Sequence, residues 1–254
     1  MNRIDALFQS DQKNLLNIYF TAGFPERDST LKIIQELDNA GVDLIEIGMP
    51  YSDPLADGPT IQESGSMALK NGFTLDLLFE QLQQVRSITN KPLILMGYLN
   101  QLMQYGLEAF CQQAQACGID GLIIPDMPLD LYAHQYQSII EAHGLHSIFL
   151  ITPRTPDARI RKVDTLSKGF IYMVADSSIT GKKGGISEKQ VEYFERINAM
   201  NLNTPRLIGF GISDHATFST ACNYAQGAII GSAFIRHLDA GNVVADFVKM
   251  VRGE

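Results

Sequence analysis

The chain has 254 residues, of which 45% are hydrophobic and 19% are charged, and its formal net charge is −8. This is an ordinary globular balance that supports one large core. The negative charge argues against a polyanionic partner, so we expect the protein to bind neither nucleic acid nor a membrane surface. A small phosphate ester stays possible, because backbone amides can hold phosphate without basic side chains.

The chain carries no signal for export, disulfide bonding or metal binding. Three cysteines, Cys111, Cys117 and Cys222, are too few for a disulfide framework and are interpreted as buried free thiols. The N-terminus lacks the apolar stretch of a signal peptide, and no apolar run approaches the roughly 20 residues of a membrane span. The five histidines show no metal-ligand spacing. We therefore expect a cytoplasmic protein without a metal site.

Short apolar, β-branched runs alternate with amphipathic helical patterns along the chain. Residues 1 to about 14 predict an extra N-terminal helix before the first strand. Eight strands are then predicted, at 16–20, 44–48, 93–96, 122–125, 147–151, 170–174, 206–209 and 228–230. Strands that alternate with helices pair in parallel, and eight such units favour a closed barrel over an open sheet. The prediction is a single (β/α)8 TIM-barrel domain over residues 1–254.

Helix-end signals and a weak internal repeat support this division. Thr74 is placed to cap the helix that follows it, and Gly118 is placed to end another. The run AGVDLI at 40–45 resembles CGIDGL at 117–122, and each combines a helix end, a glycine and the entry into a strand. The resemblance between the two runs indicates repeated strand–helix units.

The interval between the second and third predicted strands, from Gly48 to Pro92, is longer than one helix requires. Its excess, residues 49 to about 71, contains the run MPYSDPLADGP. Long loops inside a compact domain are usually functional. This one also leaves the carboxyl end of a strand, where barrel enzymes build their active sites.

Glu46 is a carboxylate within a run that is otherwise suited to a buried strand. Side chains alternate along a strand, so Leu44, Glu46 and Gly48 share one face while Ile45 and Ile47 share the other. If the isoleucines face the outer helices, Glu46 points into the barrel near its mouth, where desolvation raises a carboxyl pKa. A structural ion pair is the alternative, but few basic residues lie near the predicted strand ends. The pattern favours proton transfer by Glu46.

Asp53 and Asp57 lie in the long loop. Alone, each would be interpreted as a turn former, because Asp-Pro and Asp-Gly pairs are turn signals. Their place above a buried glutamate favours another interpretation. One carboxylate on a rigid strand and another on a loop suit general acid/base catalysis with loop closure.

Three glycine-bearing segments follow the last three predicted strands, at 180–185, 209–213 and 231–234. Phosphate sites in these barrels use such loops together with a helix N-terminus. The glycines let the backbone approach phosphate oxygens, and Ser232 can add a hydroxyl donor. The chain lacks P-loop spacing, a serine-hydrolase elbow and a dinucleotide fingerprint. The pattern predicts a phosphate-bearing substrate.

The run EIGMPYSDPLADGPTIQ at 46–62 resembles the signature of the tryptophan synthase α-subunit family. Further matches lie at 20–23, 95–98, 121–126, 179–181, 209–212 and 231–233. The resemblance implies a lyase of tryptophan biosynthesis that cleaves indole-3-glycerol phosphate, by a retro-aldol reaction, to indole and glyceraldehyde 3-phosphate. In that reaction Glu46 matches the acid/base glutamate, and Asp57 matches the aspartate that binds the indole N–H. Thr180 matches a threonine that holds this aspartate, and Tyr172 matches a pocket tyrosine.

The resemblance also implies the remaining site residues and the partner. It assigns Tyr19, Leu99 and Phe210 to the indole slot, Gly181, Gly211, Gly231 and Ser232 to the phosphate cradle, and Asp53 to signalling towards a β subunit. The family works in an α2β2 heterotetramer, in which pyridoxal phosphate belongs to the β subunit. No cofactor is therefore expected in this chain.

Two departures from the family pattern and two alternative functions stay open. Asp176 lies near the expected phosphate site, where a carboxylate is electrostatically awkward, and the segment 125–130 lacks a double proline.

Another phosphate-binding barrel, such as an isomerase or indole-glycerol-phosphate synthase, would often use a strand-borne lysine, and the predicted strand ends are poor in lysine. An inactive barrel that only activates a β partner would not need both carboxylates.

Overall fold

The computed structural model describes residues 1–10, 12–175 and 186–254. Its strands are β1 (Leu15–Thr21), β2 (Leu44–Gly48), β3 (Leu93–Met96), β4 (Gly121–Ile123), β5 (His146–Ile148), β6 (Leu150–Ile151), β7 (Ile171–Val174), β8 (Arg206–Gly209) and β9 (Gly227–Ile230). Its first helices are α1 (Arg3–Gln9), α2 (Thr30–Asn39), α3 (Pro59–Lys70), α4 (Leu75–Leu82), α5 (Leu99–Tyr105), α6 (Leu107–Ala116) and α7 (Leu129–Leu131). The others are α8 (Gln137–Ala142), α9 (Asp157–Leu166), α10 (Glu188–Ala199), α11 (His215–Cys222), α12 (Ser232–Asp239) and α13 (Val244–Arg252), with a 3-10 turn at Val85–Ser87 and a π-helical turn at Tyr132–Tyr136.

The strands form one parallel sheet that curls into a barrel, in the order β5-β4-β3-β2-β1-β9-β8-β7-β6. The two outermost segments, β5 and β6, are consecutive in the chain and are separated by Phe149 alone. The carbonyl of Phe149 accepts a hydrogen bond of 3.0 Å from the Tyr172 amide, which continues the pairing to the next strand. The predicted strand at 147–151 is therefore one barrel strand in two pieces, and the predicted (β/α)8 barrel is confirmed.

The strands are buried on both faces, because helices cover the outside and side chains fill the inside. Every residue of β1 and of β2 is buried, and this includes the polar Asn17, Thr21 and Glu46. The predicted strand bounds agree with the structure to within two residues. The largest difference is in β4, which ends at Ile123 because the chain turns there, with the Met127 amide bonded to the Ile124 carbonyl.

The predicted N-terminal helix is present as α1 and packs against the amino-terminal ends of the strands. Asn2 caps it by accepting a hydrogen bond of 2.9 Å from the Ile4 amide. Ile4 is fully buried, and its side chain lies against Gly121 and Gly169. In the residues that the structure describes, no helix combines the length and the apolar character needed to cross a bilayer.

The internal repeat reflects a shared structural device. Gly41 and Gly118 both adopt positive φ, of +81° and +74°, where the chain leaves a helix. Two residues further on, Asp43 accepts a hydrogen bond from the Leu16 amide (2.7 Å), and Asp120 accepts one from the Leu93 amide (2.9 Å). Each aspartate thus ties the start of its own strand to the preceding strand.

The long interval after β2 contains both a loop and an additional helix. The sequence predicts irregular structure from residue 49 to about 71, but only 49–58 is loop, and α3 occupies Pro59–Lys70. Pro59 stands at the first helical position, where its missing N–H costs nothing and its fixed φ suits a helix. The loop that can close over the barrel is therefore about ten residues long, and it is anchored at both ends.

We expect Asp120→Ala to lower the free energy of unfolding by about 3 kcal/mol, because it leaves the largely buried Arg86 without its carboxylate partner and removes the bond to the more exposed Arg3. Asp120 is 3% exposed and bonds Arg3 (3.1 Å) and Arg86 (2.7 Å). Urea denaturation measures the change. Lys32→Ala is the control, since it removes only the exposed 3.9 Å pair with Glu36. Equal, small losses in both variants would show that the Asp120 network does not stabilise this end of the barrel.

Candidate active site

Glu46 lies on the inner face of β2 and is fully buried. In the strand register it stands opposite Tyr19 of β1 and Ile94 of β3. Asn17, also on β1, donates a hydrogen bond of 2.9 Å from Nδ2 to Glu46 Oε2. The second carboxyl oxygen, Oε1, has no hydrogen-bond partner among the residues that the structure describes. The Asn17 hydrogen bond thus fixes the carboxyl group through Oε2, and Oε1 is the oxygen that can bond a substrate.

The environment of Glu46 favours its neutral, protonated form. The pKa of Glu46 is raised from the ordinary value to about 8. Burial is the main cause, the hydrogen bond from Asn17 acts in the opposite direction, and the nearby charge of Asp57 contributes to the rise. At neutral pH the carboxyl is therefore mostly protonated. A neutral carboxylic acid in a buried site can donate a proton and then take one back.

Asp57 lies on the loop after β2 and is only 6% exposed. Tyr98 donates a hydrogen bond of 2.8 Å to Asp57 Oδ2, and the same hydroxyl accepts one of 3.0 Å from the Ala56 amide. Burial raises the pKa of Asp57 to about 6, against the lowering effect of the Tyr98 hydrogen bond. At neutral pH Asp57 is therefore mostly ionised while Glu46 is mostly protonated. Such a pair can divide the roles of anion and acid.

Side chains at the start of α5 and in α3 fix the loop that carries Asp57. Tyr51 stacks on Tyr98 with the ring centroids 5.1 Å apart. Gln101 donates a hydrogen bond of 2.9 Å to the carbonyl of Pro50. At the far end of the loop, Gln62 donates one of 2.9 Å to the carbonyl of Asp57. The tip stays exposed: the Asp53 carboxylate accepts a hydrogen bond of 2.7 Å from Ser52, and Leu55 is 92% exposed.

Two tyrosines pack across the carboxyl ends of neighbouring strands. A Cβ added at Gly48 would overlap the Tyr19 hydroxyl, and one added at Gly209 would overlap the Tyr172 hydroxyl. Burial raises the pKa of both tyrosines well above the ordinary value, and the charges of Glu46 and Asp57 add to this effect. The two rings therefore stay neutral and form walls beside the two carboxyl groups.

Phe210 continues the Tyr172 side of the site. Its ring meets that of Tyr172 edge to face, with the centroids 6.1 Å apart. Phe210 adopts φ of +66°, which is costly for an aromatic residue, and Gly211 follows with φ of +78°. Two successive residues in this conformation turn the backbone sharply at the end of β8. This turn follows the carboxyl end of β8, the end at which barrel enzymes build their sites.

The predicted phosphate segments lie partly within the structure. Gly231 is the single residue between β9 and α12. Ser232 begins α12, whose first amides have no partner within the helix. A Cβ added at Gly231 would come within 3.2 Å of the Tyr19 ring, so this helix N-terminus lies at the same end of the barrel as Glu46. Thr180, Gly181 and the awkward Asp176 lie outside the described residues.

The structure adds residues to the predicted site. Leu99 is the half-buried first residue of α5, where its amide donates a hydrogen bond of 2.9 Å to Asp126, and its place in the indole slot stays a prediction. Met96, at the end of β3, pairs in register with Gly48 and shares the inner face of the barrel with it. Sequence reasoning also missed Asn17 and Tyr98. Asn17 had one signal in the sequence, which is an amide side chain within the largely apolar run of β1.

The described site is equipped for proton transfer near a phosphate-bearing substrate. It combines a buried acid, a buried carboxylate, aromatic walls and a helix N-terminus that attracts anions. Within the described ranges, no group of three or more His, Cys, Asp or Glu side chains is arranged to hold a metal ion.

The family model described as "Tryptophan synthase alpha chain" matches residues 6–251. A tryptophan synthase alpha chain from Flavobacterium johnsoniae is 54% identical over 254 residues, which cover 99% of this chain and 100% of the relative. One from Christiangramia forsetii is also 54% identical, with 99% of both chains covered. The similarity runs the whole length of the chain, through every segment of the site.

Solved structures agree with the barrel. A Mycobacterium tuberculosis tryptophan synthase structure superposes with a TM-score of 0.89 at 29% identity, covering 99% of this chain and 97% of that chain. A tryptophan synthase A-subunit from Pyrococcus furiosus gives 0.87 at 32% identity, covering 96% and 99%. A tryptophan synthase complex from the same organism gives 0.86.

We expect Tyr98→Phe to raise the pKa of Asp57, because it removes the hydroxyl that stabilises the ionised carboxyl. Carboxyl-carbon NMR titration of Asp57 measures the change. Tyr51→Phe is the matched control: its hydroxyl accepts a hydrogen bond from Asn100 and does not touch Asp57. If both variants titrate like the unmodified protein, Tyr98 does not set the charge of Asp57.

Proposed function

Because the chain belongs to the tryptophan synthase alpha chain family, we propose that Glu46 and Asp57 are the residues with which it performs the family's reaction. That reaction is the retro-aldol cleavage of indole-3-glycerol phosphate to indole and glyceraldehyde 3-phosphate, and the chain is a lyase of this kind. The observation that carries the proposal is the buried carboxyl of Glu46 with one free oxygen, beside a second buried carboxyl.

Glu46 moves the proton that the bond cleavage requires. The carbon–carbon bond breaks only when indole C3 becomes a leaving group, so a proton is first added to C3 and a cationic indolenine forms. Glu46 supplies this proton from its protonated form and becomes a carboxylate. It then takes the proton of the adjacent glycerol hydroxyl while the bond breaks, which yields the aldehyde and restores the aromatic ring. Glu46 ends in its starting state, so the proton balance closes.

Asp57 stabilises the positive charge that this proton creates. Its oxygen Oδ1, which has no hydrogen-bond partner among the described residues, accepts a hydrogen bond from the indole N–H, while Oδ2 stays bonded to Tyr98. A fixed carboxylate in a buried site stabilises a developing cation much more than it would in water. This role requires the ionised form, which Asp57 holds above its pKa of about 6.

The remaining walls hold the two ends of the substrate. Tyr19, Tyr172 and Phe210 enclose the flat indole ring. The burial of the two tyrosines and the contact between the Tyr172 and Phe210 rings support this role. The backbone amides around Gly211 and those at the N-terminus of α12 hold the phosphate. The residues at this helix N-terminus are Gly231 and Ser232. Thr180 and Gly181 stay predictions for the same cradle, and Leu99 stays a prediction for the indole slot.

We also propose that the chain, as one barrel domain over residues 1–254, works with a tryptophan synthase β subunit in an α2β2 assembly. The similar Pyrococcus furiosus structure is a tryptophan synthase complex, which supports this. Asp53, exposed on the loop that carries Asp57, is placed to pass signals between the subunits. Pyridoxal phosphate belongs to the β subunit, and this chain works without a cofactor of its own. The biosynthetic reaction favours a cytoplasmic location.

Other phosphate-binding barrel enzymes fit the site less well. An enzyme that relies on a strand-borne lysine would need that lysine inside the barrel. None of the strands in the described part of the chain contains a lysine. An inactive barrel would have no reason to keep two carboxyl groups buried, since burying an ionisable group without a strong partner is costly.

Glu46→Gln should reduce indole formation by about 1000-fold, because the amide cannot donate or accept the proton. Substrate binding should survive, since the side chain keeps its shape. Indole release from indole-3-glycerol phosphate, measured with and without a β subunit, tests this. Glu36→Gln, a change on α2 at a side chain that is 41% exposed, is the control for the substitution itself. Turnover in Glu46→Gln at more than a few per cent of the unmodified rate would remove Glu46 from the mechanism.

The rate of indole formation should follow a bell-shaped pH profile, with an acid limb near pH 6 and a basic limb near pH 8. Below about 6 Asp57 gains a proton and loses its charge, and above about 8 Glu46 loses the proton that it must donate. Steady-state kinetics across this range measure both limbs. Asp57→Asn should lower activity and abolish the acid limb, and it should move the basic limb to lower pH, because the charge of Asp57 no longer raises the pKa of Glu46. An acid limb that persists in Asp57→Asn would belong to another group.

A further inference from the structure

Asn17 is an unusual residue for its position. It lies in the middle of β1, within the run LLNIYFT, and is fully buried. In the strand register it pairs with Leu44, so it lies one layer deeper in the barrel than the pair of Tyr19 and Glu46. An amide buried at this depth costs free energy unless it is hydrogen-bonded.

The side chain of Asn17 is only half satisfied. Its Nδ2 donates to Glu46 Oε2 at 2.9 Å, while its Oδ1 has no partner among the described residues. A residue present only to fill this layer would be apolar, as Leu15, Leu16 and Ile18 around it are. The amide therefore serves Glu46, which is its only hydrogen-bonded side-chain contact in the described structure.

The type of donor matters for a carboxyl group that must be both acid and base. A neutral N–H can bond a carboxylate oxygen and can also bond the carbonyl oxygen of a protonated carboxyl group. A lysine or arginine here would hold Glu46 in its ionised form, and an apolar residue would not orient it at all. Because the amide N–H points at Oε2, the acidic proton is placed on Oε1, the oxygen without a partner.

We propose that Asn17 is a positioning residue that reserves Oε2 of Glu46 as a permanent acceptor and so makes Oε1 the oxygen that exchanges the proton with the substrate. This inference rests on the acid/base role of Glu46 proposed above. The titratable groups that face Glu46 from the surrounding elements are Asp57 from the loop, Tyr19 from β1 and Tyr172 from β7. None of them forms a hydrogen bond with Glu46 in the described structure.

Asn17→Leu tests the proposal, since leucine has a similar size and no donor. The hydrogen bond from Asn17 lowers the pKa of Glu46, so its loss should move the basic limb of the kcat profile to higher pH. A carboxyl group that can rotate also reaches the substrate less often. We therefore expect kcat to fall roughly 10- to 100-fold, with KM changed by less than about twofold. Indole formation by the chain, alone and with a β subunit, gives both parameters.

Thr21→Val is the matched control. Thr21 lies on the same strand and the same face, is 1% exposed, and bonds Ser64 at 2.7 Å rather than Glu46. Its substitution also removes a buried polar atom from β1, yet the basic limb should stay in place. A shift of equal size in both variants would overturn the proposal, because it would reflect a general disturbance of β1. So would a normal kcat and an unmoved limb in Asn17→Leu.

A measurement on the unmodified protein removes the dependence on a folded Asn17 variant. Infrared spectroscopy near pH 7 should show the carbonyl band of protonated Glu46, identified by its loss in Glu46→Gln, at the lowered frequency of a hydrogen-bonded acid. A band at the frequency of a free carbonyl would overturn the role of Asn17. If Glu46→Gln instead kept full turnover, the proposed function itself would fail, so the two failures are distinct.

Discussion

The burial of the Glu46 carboxyl is the constraint on which the rest of the site depends. Ionising a carboxyl group inside a barrel is costly, because the charge loses its contact with water. The pKa of Glu46 therefore rises to about 8, and the group stays mostly protonated at neutral pH. This turns an ordinary side chain into an acid that works near neutral pH. The same burial demands a partner for at least one oxygen, and Asn17 is that partner.

The closed barrel is what makes this burial possible. In a parallel barrel each strand directs alternate side chains inward, and the two neighbouring strands shield them from water. Glu46 is flanked in register by Tyr19 and Ile94, while Asn17 lies in the layer below. Glycines at the strand ends, Gly48 among them, leave room for the tyrosine rings to pack across the mouth. The architecture thus provides a dry interior with a single open end.

The second carboxyl group is controlled differently. Asp57 comes from a loop, so its position depends on contacts made after the barrel has formed. Tyr98 supplies the most important of these contacts, because its hydroxyl binds both the Asp57 carboxyl and the Ala56 amide. The pKa of Asp57 stays near 6 as a result, about two units below that of Glu46. Two carboxyl groups with different environments can hold different charges at the same pH, which the cleavage of a bond to indole requires.

The sequence alone determined the barrel, because strand and helix periods are local properties that eight repeated units express strongly. It also determined the inward face of Glu46, since alternation along five residues fixes which side chains share a face. Only the tertiary structure decided which neighbours meet that face. Asn17 and Glu46 are 29 residues apart, and Tyr98 and Asp57 are 41 apart. Such pairs depend on strand register and loop path, which no local pattern encodes, and the pairing of Met96 with Gly48 on the inner face depends on register in the same way.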